Sequence, residues 1–570
     1  MSLELQKILA LFLPLHCTAL QKSFHPVIKP PSIVLTTLNA KYIHASLGLR
    51  YLLANMGNLR QQTALREFTI AREAQYVVEE LLLALDGPAP KHSGTRIIGF
   101  GVYIWNVVQT TEVVRLLKAT RPEIKIVLGG PEVSHEVNEQ EITRLADHVI
   151  TGWGDVSFAR LCQALLHGPR PLTKVIIGEQ PALDQIALPY AEYSDADLAH
   201  RLLYVEASRG CPFKCEFCLS ALDKTAWAFD PEAFLAAMAQ LYQRGARNFK
   251  FVDRTFNLKI DASVRILQFF LDRLAESGAT EPGENLFLHF EVVPDHLPAQ
   301  LKAMIAQFPP GVLQFEVGIQ SFNVEVQQRI SRRQDNAKAE ANLAWLLEQS
   351  NAHLHTDLIF GLPGETLESF GLGFDSLYGL RPHEIQLGIL KRLRGTPIIR
   401  HTGEYGMVYD ENPPYSVRET SAVDAAGMQR FSRFARYWDM FFNSGRFKQT
   451  LPLLLDENHP LDELTAASIE GRASSSPFHA FLGFSDWLWQ STAKTNALTP
   501  EALVDALFDY LCKLRGMSVE KVQLVLLSDY LASGARGSPQ ALRGVLPKRD
   551  PKIRPRRQLA RRQEQHQAIS

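Results

Sequence analysis

The feature that most constrains this chain is an alternation. Short β-rich runs, each ended by glycine or polar residues, are separated by helical patterns, and the alternation occurs in two series. In the first, Ile33–Leu38, Ala64–Ile70, Arg96–Val102, Ile124–Leu128 and His148–Ile150 read as strands, with Ala45–Met56, Arg72–Leu85 and Val107–Ala119 as helices. In the second, the strands are Leu203–Ala207, Asn248–Asp253, Leu286–Val292, Leu313–Ile319, His353–Phe360 and Glu384–Leu390, with helical patterns such as Pro231–Arg244 and Asn336–Gln349 between them. Strands alternating with helices predict parallel sheets, because a helix is the usual crossover between parallel neighbours. The expected fold class is α/β: an N-terminal doubly wound sheet, then a six-unit partial β/α barrel. Both architectures place ligands at the carboxyl ends of their strands. In the first series those ends are Asn39–His44, Tyr103–Asn106, Gly129–Ser134 and Thr151–Asp155.

Six segments are expected: a leader without fixed structure (1–30), a sheet domain (31–167), a proline-containing linker (168–200), the barrel (201–398), a mainly helical domain (399–546) and a basic tail (547–570). The helical expectation rests on aromatics at helical spacing, Phe431, Phe434, Trp438, Phe441 and Phe442, then Phe478, Phe481, Phe484, Trp487 and Leu488. These read first as a hydrophobic core and second as a stacking surface for a substrate. The tail holds Lys548, Arg549, Lys552, Arg554, Arg556, Arg557, Arg561 and Arg562. It reads as solvated, with an RNA or anionic-substrate contact as the alternative. Over all 570 residues, 60 Lys+Arg balance 61 Asp+Glu. That gives no electrostatic case for a dedicated nucleic-acid binder. The longest apolar candidate, Ile8 to Leu15, is broken by Pro14. It falls short of the about 18 residues a membrane span needs, so a cytoplasmic protein is expected.

Three of the six cysteines, Cys211, Cys215 and Cys218, lie within eight residues in the pattern C-x3-C-x2-C, directly after the first barrel strand. Clustering in one loop argues for a metal site in a reducing compartment rather than a disulfide framework. A structural zinc site wants four protein ligands and no fourth is near. A [4Fe–4S] cluster can take three cysteines and leave one iron open. The cluster is the favoured reading, with zinc and a distant fourth ligand as the alternative. Cys162 and Cys512 fall inside helical patterns and read as buried hydrophobes.

This motif after the first strand of a six-unit barrel resembles the radical S-adenosylmethionine (SAM) enzymes. The resemblance implies that the open iron chelates SAM and that the cluster cleaves it reductively to a 5′-deoxyadenosyl radical. Phe217 matches the family's aromatic before the third cysteine. By the same resemblance Asp253 and Arg254, after the second strand, stand where SAM's amino and carboxylate groups are held, though a surface loop is the alternative for both. Glu291, ending the third, would reach a ribose hydroxyl or form a structural ion pair. Gln320, ending the fourth, would line the pocket. Ile359 would stand at the adenine, in a fifth strand with Asp357 where the family has glycine.

A sheet domain before such a barrel resembles the cobalamin (B12)-binding class of these proteins. Leu128-Gly129-Gly130-Pro131-Glu132 and Gly152-Trp153-Gly154-Asp155 resemble its glycine segments. The resemblance implies corrin contacts at Asn39, Tyr103, Asn106, Gly129, Gly130 and Gly152. The pattern Asp-x-His-x-x-Gly is absent: His44 is followed by Gly48 at the wrong offset. Axial ligation by His44 is therefore not expected.

The function so implied is a cobalamin-dependent radical SAM enzyme, with methyl transfer to an unactivated carbon as the leading reaction. The implied cofactors are a [4Fe–4S] cluster, SAM and cobalamin. The implied partners are a small-molecule or peptide substrate and an electron donor such as flavodoxin or ferredoxin, with no membrane or nucleic acid. The alternatives are B12-dependent rearrangement or cyclisation, or a nucleic-acid-binding module with a structural cluster.

Overall fold

The structure, a computed structural model, describes residues 30–87, 94–277, 286–455 and 476–547. The leader expected over 1–30, apart from its last residue, and the basic tail from Lys548 lie outside the described residues.

The first sheet has six parallel strands: β1 (Ile33–Asn39), β2 (Thr63–Thr69), β3 (Ile97–Gly101), β4 (Lys125–Gly129), β5 (His148–Thr151) and β6 (Val175–Ile177). Their spatial order is β2-β1-β3-β4-β5-β6. Every residue of β1 is buried, because helices cover both faces of a parallel sheet. Ile33 and Leu35 face α1 (Leu47–Ala54) and α4 (Ser157–His167), whose Leu49, Phe158 and Leu161 fill that side. Val34, Ile98 and Phe100 face α2 (Ala74–Asp86) and α3 (Val107–Thr120). Strand order reverses between β1 and β3, which opens a crevice at their carboxyl ends.

Strand β6 lies within the segment that reads in sequence as a linker, and the later part of that segment is anchored by the buried Leu183, Ile186, Tyr190 and Tyr193. The guanidinium of Arg50, almost fully buried, bonds Glu67 and Asp197, each at 2.9 Å, and Arg201 adds a second cation on Glu67 at 2.7 Å. Tyr204 Oη lies 2.7 Å from His44 Nδ1.

The second sheet is the barrel wall: β7 (Leu203–Val205), β8 (Asn248–Phe251), β9 (Phe287–Val292), β10 (Leu313–Gln320), β11 (His353–Phe360) and β12 (Glu384–Ile389). The six are parallel and ordered β12-β11-β10-β9-β8-β7, so the barrel is partial and open between β7 and β12. Side chains alternate across each strand. One set, including Phe249, Phe251, Phe290, Phe315 and Phe360, is fully buried. The opposite set, Tyr204, Lys250, His289, Glu316, His355 and Asp357, is polar and faces the barrel interior.

Beyond β12 the chain forms a small hairpin, Val408–Tyr409 with Val417–Glu419, and then helices including α5 (Ala425–Phe441) and α6 (Pro477–Thr492). The aromatics at helical spacing are core residues: Phe431, Phe434, Trp438, Phe441, Phe478, Phe481 and Phe484 are buried, with Phe442 and Trp487 packed half-buried at the margin. Phe431 stacks on Phe360 of β11 at 3.9 Å. The barrel and the helical region therefore share one continuous interior. Among the described residues no helix is long and apolar enough to cross a membrane.

Candidate cofactor sites

The cysteine loop is closed at its base by a two-residue antiparallel pair, Ser208↔Ala228 and Arg209↔Trp227. Gly210 makes the turn into the loop at φ +86°, and a Cβ there would lie 2.6 Å from Thr225 Oγ1. The Cys211 N–H donates to the Asp223 carbonyl (2.9 Å) and the Cys218 N–H to the Cys215 carbonyl (3.1 Å). The second bond folds the last two cysteines onto one turn. Cys211, Cys215 and Cys218 then line a single cavity of about 200 Å3 together with Phe217, Arg254, Glu291, Gln320 and Asp357. Burial pushes the Cys211 and Cys215 thiols up. As thiolates they need cations beside them, and Arg332 Nη1 lies 3.8 Å from Cys215 Sγ. Among the described residues no three His, Cys, Asp or Glu side chains converge on a point that could hold one metal ion. An iron–sulfur cluster fits, because each thiolate binds a different iron.

The cavity wall beyond the cysteines is built by the inner faces of β9, β10 and β11. Arg254 donates through Nη1 to both oxygens of Glu291, at 2.8 and 2.9 Å. The two thus form an ion pair within the cavity wall. Gln320 ends β10 in the left-handed region at φ +70°, beside the bulge where the β10–β11 register shifts. Strain of this kind in a non-glycine residue concentrates at functional sites. Burial raises the Glu316 carboxyl, but its hydrogen bond from His289 and the Lys250 charge outweigh that and hold it well below the usual range. Burial, then repulsion from Glu316 and Glu291, pushes the Asp357 carboxyl up. His355 Nε2 stands 3.5 Å from Asp357 Oδ1, which otherwise has no partner.

Two residues expected at the SAM site are placed elsewhere. Asp253 does not line the cavity: its carboxylate accepts from the Ala207 N–H at 3.0 Å and the Ser208 hydroxyl at 2.6 Å, and burial pushes it up to about 7. Its place is beneath the loop, as an anchor for the chain entering it. Ile359 is half-buried beside Gly388 and is not among the lining residues. The sequence reading missed Glu316, Asp357, Arg332 and Arg333, which do line the cavity. For the first two the signal was present, as polar residues at alternate positions of otherwise apolar strands.

A second cleft, of about 280 Å3, opens at the carboxyl ends of β3, β4 and β5. Tyr103, Gly129, Gly130 and Gly152 line it, with Gly99, Gly101 and Gly154. These glycines leave a smooth slot. At Gly130, φ is +110° and a Cβ would stand 2.5 Å from the Val102 carbonyl oxygen; at Gly99 it would meet the Phe158 ring at 2.7 Å. A cleft with a glycine floor and walls of Tyr51, Leu52, Trp153 and Phe158 fits the tail of a corrinoid entering the sheet domain. Asn39 and Asn106 do not line it. The Asn39 amide donates to Glu67 at 3.0 Å, and Asn106 spends its own on Thr37, Leu38 and Gly101 while accepting from the Tyr103 N–H. Their polar groups are consumed in holding the loops. His44 is likewise outside the cleft, engaged with Tyr204.

Arg209 lines the second cleft and lies two residues before Cys211, so it links the two cofactor loops. Its guanidinium bonds both oxygens of Asp155 (2.9 and 3.1 Å) and reaches Glu206 at 2.7 Å, over the rings of Tyr51 and Trp153. Trp153 Nε1 donates to Asp223 at 2.9 Å. Bidentate guanidinium–carboxylate pairs fix orientation as well as distance, so the glycine loop after β5 and the cysteine loop are held as one unit.

Three family models match in succession: B12 binding domain over 33–162, Radical SAM superfamily over 205–372, and a protein family of unknown function, DUF4080, over 403–569. Similar curated proteins include the cobalamin-dependent radical SAM methyltransferase TokK of Streptomyces tokunonensis. It is 24% identical over 415 residues, 64% of this chain and 59% of that protein. The uncharacterized methyltransferase PH0819 of Pyrococcus horikoshii is 30% identical over 190 residues, 28% of this chain and 40% of that protein. The chain thus spans about half the length of these relatives. Among solved structures, the cobalamin-dependent SAM radical enzyme OxsB with aqua-cobalamin bound superposes with a TM-score of 0.55 at 13% identity, covering 88% of this chain and 79% of that one. The cofactors that go with the two matched domains are a [4Fe–4S] cluster with SAM, and cobalamin. The chain carries, in order, a B12-binding domain, a radical SAM domain and a DUF4080 region.

Proposed function

We propose that this protein is a cobalamin-dependent methyltransferase of the radical SAM type, acting on an unactivated carbon of a small molecule or peptide. The observation that carries the reading is Arg209, which lines the glycine-floored cleft, stands two residues before the first of the three cysteines that line the other cavity, and is bonded to the loop after β5. When bound, the cluster and SAM supply a hydrogen-abstracting radical and cobalamin supplies a methyl carrier. The chain's own residues bind and orient. Cys211, Cys215 and Cys218 would ligate three irons and leave the fourth for SAM. Arg332 and Arg333 present cations to a SAM carboxylate from the cavity wall. Glu316 and Asp357 put two carboxyl groups into an otherwise largely apolar cavity wall, which suits a substrate that offers hydrogen-bond donors. An oxygen-sensitive cluster and its need for single electrons support a reducing cytoplasm and a flavodoxin- or ferredoxin-type donor.

The test is anaerobic turnover of the reconstituted protein with SAM, a reductant and candidate substrates. The expected result is 5′-deoxyadenosine and S-adenosylhomocysteine in equal amounts, with a substrate mass gain of one methylene unit. A rearranged or cyclised product of unchanged carbon count would replace methyl transfer with B12-dependent rearrangement. Failure of the purified chain to retain any corrinoid would remove cobalamin from the reading.

A further inference from the structure

Between β12 and α5 the chain runs as a strap that touches both cofactor loops. On the corrin side it meets the loop after β4. Glu132, buried, accepts from Arg394 Nε at 3.0 Å and from Tyr415 Oη at 2.7 Å. Glu136 accepts from Arg392 Nη2 at 2.9 Å and Arg394 Nη1 at 2.5 Å. Gly395 lies so close to His135 that a Cβ would stand 2.3 Å from its ring. On the cluster side the strap meets Glu216, between Cys215 and Cys218. This buried carboxylate lies 2.9 Å from His401 Nε2 and pairs with Arg400, and the Ile398 N–H donates to the Glu216 carbonyl at 3.0 Å. The Arg392 N–H donates to the Tyr415 carbonyl at 2.9 Å and the Val417 N–H to that of Leu390 at 2.8 Å, so both limbs of the strap are tied together.

A carboxylate is costly to bury unless a cation or hydrogen-bond donors meet it. Each cofactor loop carries one such carboxylate, and one short segment, 392–401, supplies cations to both. Neither loop keeps its shape at low cost without that segment. We propose that residues 392–415, which link the radical SAM match to the start of the DUF4080 match, are a positioning strap that sets the corrin-binding loop and the cluster loop in register. The proposal rests on assigning the two clefts to cobalamin and the cluster. Its core, mechanical coupling of the two loops through the strap, can be read without either cofactor.

The first measurement is backbone hydrogen exchange on the full chain without cofactors. Arg394→Met with Tyr415→Phe cuts the corrin side alone. The expected result is at least tenfold faster exchange over 130–136 and also over 211–218, which the substitutions do not touch. Exchange at 211–218 within twofold of wild type overturns the proposal. Tyr415→Phe alone, which keeps the ring, gives the same pattern at smaller amplitude and serves if the double variant does not fold. Arg430→Met removes an ion pair with Asp486 in the helical region; equal acceleration of both loops in that variant would make the effect global destabilisation and also overturn the strap. The second measurement is a pulsed electron paramagnetic resonance distance between cob(II)alamin and the reduced cluster in the loaded protein. It should be narrow in wild type and broadened in the double variant, and an equally narrow distribution counts against the strap. A wild-type chain that loads neither cofactor refutes the cleft assignment, while the exchange result still decides the coupling.

Discussion

At the scale of single residues, replacing Cys211, Cys215 or Cys218 with alanine is expected to abolish cluster loading, because two thiolates leave a second iron unligated. Iron and sulfide analysis after anaerobic reconstitution checks this, with Cys162→Ala and Cys512→Ala loading as wild type. Cys162 is fully buried beneath the sheet and its thiol is pushed far up by burial, so it has no path to a metal. A second expectation concerns pH. Glu365 is buried with a single partner, the Ser321 hydroxyl at 2.5 Å, and burial pushes its carboxyl up to about 8. A carboxyl raised above its unfolded value of about 4.3 binds more protons folded than unfolded. Stability therefore falls as pH rises from about 4.3 toward 8, by up to about 1.4 kcal/mol per pH unit. Glu365→Gln should flatten that slope in denaturant titrations at pH 5, 6.5 and 8; an unchanged slope would show that another group carries it. The cysteines were legible in the sequence because their spacing is local. Asn39 and Asn106 were misplaced because a polar loop residue looks the same whether it faces a ligand or satisfies its own backbone. Asp357 was undervalued because its inward direction depends on strands far apart in the chain.

At the scale of elements, Asp253 has the clearest consequence. It holds Ala207 and Ser208 where the chain leaves β7 for the cysteine loop. Asp253→Ala should lower cluster retention, since a hydrogen bond to a charged group is worth about 1.5–3 kcal/mol. Iron content after gel filtration measures it, and full retention together with weakened SAM binding would return Asp253 to the SAM site. Nearly all the strands could be read from the sequence, because apolar runs between turn residues are their direct imprint. The helix start at Pro231 was equally legible; Asp230-Pro231, like Ser476-Pro477 and Thr499-Pro500, caps a helix with proline at its first position. Strand β6 was hidden. It has three residues, at the sheet's edge and largely exposed, so no hydrophobic pattern announces it.

At the scale of the whole molecule, the continuous core makes a firm expectation. Ending the chain after residue 398 would bare the ring faces of Phe360, Phe370 and Phe374 that Phe431, Trp438 and Phe478 cover. The truncated protein should aggregate, since a large contiguous exposed apolar patch is an aggregation hazard; a monomeric, cluster-loading product on size-exclusion chromatography would refute this. That three regions follow one another was legible from changes of pattern along the chain. That the last two share an interior was not, because which helix an outward phenylalanine meets is a long-range fact. This sharing also bears on descent. A region whose aromatic side chains complete another's interior cannot be exchanged between genes as a cassette. Any recombination joint at the matched family boundary would pair mismatched halves of one core. The barrel's closing strands and the helices after them are expected to be inherited together, and to accept substitutions as compensating pairs across that joint.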